Sequence, residues 1–173
     1  MYNDTRLALN ERRAPFTPTL WKLQPENKST KMIQVWFPGV HASCGGGDPS
    51  HGLSDISLAW MVDRVMTHTD LECDLDYLVK CRQKFSPNPM KPAWGTEPFP
   101  ESFRGIYLVA GSKPRTPNKY LSDEEAKEGQ KTNEYIHKSV TERLEKLGNE
   151  WAHPELQNLP EDTFGEIEKK LLW

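Results

Sequence analysis

Residues 32–37, MIQVWF, form an apolar run that only Gln34 interrupts. Such a run, rich in residues that favour β structure, predicts a strand covered on both faces. Pro38 and Gly39 end it, because proline removes a backbone donor from the ladder. A strand of this kind belongs to a mostly parallel sheet flanked by helices. Other segments must therefore supply its neighbours, and we predict a further short strand at residues 106–110.

Five segments carry the apolar spacing or the end signals of helices. They are residues 53–66, 70–85, 122–129, 139–148 and 166–173.

The starts of three of these helices are predicted from capping residues. Ser54 is a candidate N-cap, with Asp55 favourably placed in the first turn. Ser122 and Ser139 each precede a glutamate by three residues, which is the spacing of a capping box. Gly148 is a suitable residue just past the end of the fourth helix.

These elements predict an α/β fold in which few strands are flanked by several helices and long loops. Prolines are concentrated in residues 85–103, FSPNPMKPAWGTEPFPESF. Because proline disfavours helix interiors and central strands, we expect a long ordered loop or a joint there. The chain has 173 residues, which is enough for one domain with a core of its own.

Composition excludes some classes of partner and site. The net charge is −3, from 22 basic and 25 acidic residues, so charge gives no reason to expect a nucleic acid or an acidic membrane surface. The three cysteines are widely spaced and odd in number, which favours a reducing compartment over a disulfide scaffold. We find no signal-peptide pattern and no apolar segment of about 18 residues, and we predict a cytoplasmic protein without an integral membrane segment.

The stretch QVWFPGVHASCGGGD places His41 just past the carboxyl end of the predicted strand. Ligands bind at this edge of open α/β sheets, and a histidine there can take up and return a proton near neutral pH. The glycines Gly45, Gly46 and Gly47 permit backbone conformations with φ > 0. The bare pattern also fits a histidine that only hydrogen-bonds the loop, with glycines that only form a turn.

Other chemistries remain open from the residues alone. His41, Cys44, Asp48 and His51 have donor atoms that suit zinc, but their spacing matches no standard motif, and we predict neither a metal nor another cofactor. Cys44 is a weak candidate nucleophile, since such cysteines are more often buried fillers. The chain contains no GxSxG elbow, and the nearest stretch, GLSDI at 52–56, opens a helix.

Five stretches resemble, in order, the carboxyl-terminal half of the α/β-hydrolase-like domain of the type VI secretion phospholipase effector family, which includes fungal members. The resemblance runs from Arg6 to Pro154 and leaves residues 155–173 as a helical tail. The stretches are RLALNERRAPFTPTLW, QVWFPGVHASCGGG, LSDISLAWMV, GIYLVAGSKPRTPNKY and TNEYIHKSV.

The resemblance implies a serine hydrolase with a Ser-Asp-His triad that acts on an ester, expected to be a lipid. His41 matches the triad histidine, and Gly39 with the three following glycines would shape its loop. Asp55 would position that loop or cap the helix. Ser43 and Asp48 stand where the family commonly has an acidic and an aromatic residue.

In the family, the serine elbow and the triad aspartate precede the matched segment, so the resemblance implies that both are absent from this chain. We therefore expect the histidine-bearing portion of a hydrolase, inactive alone and dependent on a missing amino-terminal half. The alternative is a non-catalytic remnant or interaction module of the same family. We expect His68, His137 and His153 at surface or capping positions, and among them His137 is the one held in reserve for a functional role.

Overall fold

Strand β2 (Lys31–Phe37) confirms the apolar strand predicted from the sequence. It pairs in parallel with β1 (Tyr2–Ala8) on one side and with β3 (Glu134–His137) on the other, and β3 pairs with β4 (Glu161–Asp162). The computed structural model describes residues 1–48, 51–85, 95–98, 111–148, 156 and 158–172. Within them the sheet has four parallel strands in the order β1-β2-β3-β4.

Helices flank this sheet, which confirms the predicted α/β class. The helical segments predicted from spacing are present, as is the capping box that starts at Ser122. The helices of the described residues are α1 (His41–Gly45), α2 (Gly52–His68), α3 (Leu75–Phe85), α4 (Asp123–Lys127), α5 (Lys138–Leu147) and α6 (Glu166–Leu172), with a 3₁₀ turn at Ala14–Phe16.

Two predicted helix starts are wrong. Helix α2 begins at Gly52, and Ser54 donates its hydroxyl to a carbonyl instead of capping the helix. The Gly52 amide is satisfied by the Glu97 carboxylate at 2.8 Å, a partner 45 residues away that the local sequence does not reveal. Helix α5 begins before Ser139, because the His137 ring accepts the Ser139 amide and takes the N-cap position.

Alternate residues of β2 pack on opposite faces of the sheet. Val35 and Phe37 join a cluster with apolar residues of α2 and α6. Trp36 points to the other face and joins a cluster with Val140 of α5. β2 therefore contributes to a core on each face of the sheet. Burial of each of these side chains contributes about 1.5–3 kcal/mol. The carboxyl-terminal segment contributes to the first core through Leu171 and Leu172.

Some predictions lie outside the described residues: the strand at 106–110 and most of the proline-rich stretch 85–103. In the ranges that are described, every helix is too short or too polar to cross a lipid bilayer.

Candidate functional site

His41 is the first residue of α1 and follows β2 by four positions, at the carboxyl edge of the parallel sheet. The turn between strand and helix requires glycine at position 39, because its φ is +102°. A Cβ atom there would lie 2.6 Å from Cβ of Ser43. The side chain of His41 retains 45% of its exposure to solvent. The predicted location of His41 is therefore the observed one, although α1 replaces part of the predicted glycine loop.

A second loop, which follows β1, reaches the same edge of the sheet. The Leu9 amide donates to the Phe37 carbonyl at 3.0 Å, and the Asn10 amide donates to the Gly39 carbonyl at 2.9 Å. The side-chain oxygen of Asn10 accepts the Gly39 amide at 2.8 Å. These bonds continue the parallel pairing beyond both strands and bring Glu11 beside the histidine.

Glu11 and His41 form a carboxylate–imidazole pair. Oε2 of Glu11 lies 2.7 Å from Nδ1 of His41, and Glu11 is only 1% exposed. Arg13 donates to the same carboxylate through Nε at 3.0 Å and Nη2 at 2.8 Å. The charge of Glu11 is thereby compensated, and its position beside the imidazole is held by two further bonds.

The two neighbours of Nδ1 favour opposite tautomers of His41. Nη2 of Arg13 lies 2.6 Å from Nδ1, and a guanidinium can only donate, whereas the Glu11 carboxylate accepts. In the tautomer with hydrogen on Nδ1, the ring donates to Glu11 and Nε2 carries the lone pair. Within the described residues Nε2 has no hydrogen-bond partner, so this atom is the one open to a reacting group.

The plane of the His41 ring is fixed by an aromatic neighbour. Phe16 stacks on it with the ring centroids 4.5 Å apart and the planes 16° apart. The guanidinium of Arg13 lies over the Phe16 ring, 4.2 Å from its centroid. Orientation of the imidazole therefore depends on packing as well as on the Glu11 bond.

The pair lines a cavity of about 230 Å³. Its wall combines apolar side chains with charged ones. The lining residues are Arg6, Leu7, Ala8, Glu11, Phe16, Pro18, His41, Cys44, Gly45 and Arg115.

Cys44 is buried in the wall of this cavity. Burial raises the pKa of its thiol to about 12, against a smaller opposing effect of the Arg6 charge. With this pKa Cys44 is almost fully protonated at neutral pH. The thiolate is the reactive form of cysteine, so Cys44 is unreactive there. The structure thus argues against Cys44 as a nucleophile and favours the role of core filler.

We expect Cys44 to resist alkylation in the folded protein. At pH 8 iodoacetamide should modify Cys73 and Cys81, which are partly exposed, while Cys44 reacts only after denaturant is added. Mass spectrometry of peptides from native and unfolded samples measures this difference. Native labelling of Cys44 as fast as that of Cys73 would contradict the assignment.

The potential zinc donors do not converge. Cys44 is in the core, and Asp48 accepts the Ser43 hydroxyl at 2.9 Å. His51 and Asp55 line a different cavity, between α2, α3 and α6, so Asp55 does not share a cavity with His41. Within the described residues no group of three or more His, Cys, Asp or Glu side chains is arranged to hold a metal.

The three glycines at the end of α1 and just beyond it differ in the backbone conformation they adopt. Gly46 and Gly47 have φ of +89° and +115°, whereas Gly45 is the last residue of the helix. A Cβ at any of the three would have no atom within 4 Å. Only the second and third thus need glycine, and they need it for backbone conformation and not for space.

A second histidine cluster is buried beneath the sheet edge. His137 lies between Ser139, whose Oγ is 2.7 Å from Nδ1, and Glu168, whose Oε1 is 3.0 Å from Nε2. The group types are those of a hydrolase triad, but serine and acid occupy the ring nitrogens in reverse. All three residues are at most 1% exposed. This arrangement therefore serves to fix α5 and α6 to β3.

Sequence reasoning missed Glu11, and one signal pointed to it. The residue lies in the first of the family-like stretches, three positions after the end of β1. Recognition of β1 as a parallel neighbour of β2 would have placed the two following loops together, since carboxyl ends of parallel strands share an edge.

Comparison with known proteins supports a relationship in this region. Residues 4–64 match the family model described as T6SS, phospholipase effector Tle1-like, catalytic domain. The matched segment includes both Glu11 and His41, and it confirms the predicted relation to type VI secretion phospholipase effectors over this part of the chain. Searches of curated proteins and of solved structures found no match.

Proposed function

We propose that this chain supplies the acid–base machinery of a serine hydrolase that cleaves lipid esters. The observation that carries the proposal is the Glu11–His41 pair, 2.7 Å apart, in a cavity at the carboxyl edge of the sheet. The match of residues 4–64 to a phospholipase catalytic domain supports the class of substrate.

In this mechanism His41 is the general base and then the general acid. Nε2 removes the proton from a serine hydroxyl as the hydroxyl attacks the ester carbonyl, and it returns the proton to the leaving alcohol. The imidazolium formed between these steps donates from Nδ1 to Glu11, which stabilises it and fixes the ring. Glu11 then performs the role that the family resemblance assigned to an upstream aspartate.

The serine must come from outside these 173 residues, because the sequence has no GxSxG elbow. Leu7, Ala8, Phe16 and Pro18 line the cavity, and an acyl group would contact such a wall. A serine elbow from a joined segment or a partner chain would approach the open Nε2 atom.

The test compares this chain with the same chain extended by the coding sequence upstream of Met1. Hydrolysis of p-nitrophenyl butyrate and of a short-chain phospholipid should be at background for the chain alone and clearly above it for the extended protein. A fluorophosphonate probe should label a serine only in the extended protein. If an extension that contains GxSxG folds but neither hydrolyses esters nor reacts with the probe, the non-catalytic alternative replaces the proposal.

A further inference from the structure

Arg115 is a buried cation in the wall of the His41 cavity. It is 3% exposed, and its guanidinium donates to two backbone carbonyls, those of Phe16 and of Lys113. Within the described part of the chain it has no carboxylate in ion-pair contact. Burial lowers its pKa, against smaller opposing effects of Tyr120 and Glu11. A buried charge with only neutral acceptors is costly unless an anion compensates it.

Arg6 contributes a second positive charge to the same wall. It extends from β1, and its Nη1 atom lies 3.3 Å from the Ser57 carbonyl and 3.4 Å from the Ser57 hydroxyl. These contacts are at the long limit of hydrogen bonding. No carboxylate among the described residues pairs with Arg6.

The charges that line the cavity do not cancel. The one acidic residue in the lining, Glu11, already receives two hydrogen bonds from the Arg13 guanidinium. Arg6 and Arg115 therefore leave the cavity positive, and a positive cleft with low-dielectric walls concentrates anions. The second cavity, between α2, α3 and α6, differs because its lining contains no arginine.

We propose that Arg6 and Arg115 form a phosphate-binding subsite beside His41. This inference rests on the proposed function in one respect: it names the group of the ester substrate that the cavity recognises. Guanidinium groups bind phosphate oxygens through paired N–H donors. The phosphate either is part of a lipid headgroup or belongs to a small water-soluble phosphate ester.

The experiment is calorimetric titration of the full 173-residue chain with inorganic phosphate, and separately with dihexanoylphosphatidylcholine below its micelle concentration. We expect both to bind and to compete with each other. Arg115→Met and Arg6→Met should each weaken phosphate binding about tenfold to a hundredfold, the usual effect of losing a charged hydrogen-bond donor. Arg12→Met is the matched control, because it removes the same charge from an exposed position outside the cavity lining and should leave binding unchanged.

Each outcome has a defined meaning. Absence of phosphate binding by the wild-type chain, or equal affinity in all three arginine variants, overturns the subsite. Phosphate binding without phospholipid binding supports the subsite and assigns it to small phosphate esters. Circular dichroism checks that Arg115→Met folds, and Arg6→Met, at a less buried position, decides the question if it does not.

His41→Ala separates this inference from the proposed function. That variant should still bind phosphate, because the binding comes from the arginines. Retained phosphate binding with no role of His41 in hydrolysis would leave the subsite and remove the function. Hydrolysis that needs His41, with phosphate affinity equal in all arginine variants, would support the proposed function and overturn the subsite.

Discussion

In the extended protein that contains the serine, His41→Ala is expected to lower kcat for ester hydrolysis by roughly 10⁴- to 10⁶-fold. This is the size of the effect when a triad histidine is removed. The reason is that no other group in the described cavity lining is a base with an open lone pair near neutral pH. KM should change little, because the imidazole contributes more to the transition state than to binding.

Glu11→Gln is the companion variant and should cost on the order of 10⁴-fold in kcat. The amide keeps the shape of the side chain but cannot stabilise the imidazolium, and it weakens the control of the tautomer. His68→Ala is the matched histidine control, because His68 pairs with Asp4 at 3.1 Å and is not in the cavity lining. A wild-type turnover rate for His41→Ala would contradict the mechanism.

Glu168→Ala is expected to destabilise the fold by about 2–6 kcal/mol, because it leaves two hydrogen-bond donors without this acceptor, at about 1–3 kcal/mol each. The Glu168 carboxylate accepts from Nε2 of His137 at 3.0 Å and from the Gly165 amide at 3.1 Å. The backbone amide of Ser139 donates to Nδ1 of His137, so the ring hydrogen is on Nε2 and points to Glu168. Removal of the carboxylate leaves the buried Nε2 donor of His137 and the partly buried amide of Gly165 without this acceptor.

Urea unfolding followed by circular dichroism measures this effect. Glu166→Ala is the matched control in the same helix, since the Glu166 side chain is 85% exposed and pairs with Lys169 at the surface. Its unfolding free energy should stay within about 0.5 kcal/mol of wild type. A midpoint for Glu168→Ala that equals that of Glu166→Ala would show that the buried pair does not hold α6.

The central strand could be predicted from the sequence, whereas its neighbours could not. β2 is buried on both faces, so nearly every position is apolar. In β1 only Leu7 is buried, which leaves no continuous apolar signal. In β3 the pattern is hidden by Glu134, which is buried because the indole of Trp36 donates to it at 2.9 Å. Polar residues with long-range partners look like loop residues in a single sequence.

The candidate site likewise has one part that the sequence predicts and one part that it does not. The position of His41 follows from local features, namely an apolar strand, a turn and a glycine-rich segment, although its catalytic role stays a prediction. Glu11 depends on bonds between two loops that are about 30 residues apart in the chain. The N-cap position of His137 agrees with the expected surface or capping position, whereas its burial and its contact with Glu168, 31 residues away, have no local signal.

The parallel register of β1 and β2 has a consequence for how this protein tolerates insertions. Ala8 pairs with Phe37, and from that fixed point only two residues lead to Glu11 and three lead to His41. One residue added or deleted in either connection would shift an acid or a base by about 3.3 Å along its strand direction. Length changes between the 3₁₀ turn and β2 would leave both connections intact. We therefore expect natural variation in length to be excluded from residues 9–10 and 38–40 and tolerated near residues 24–30.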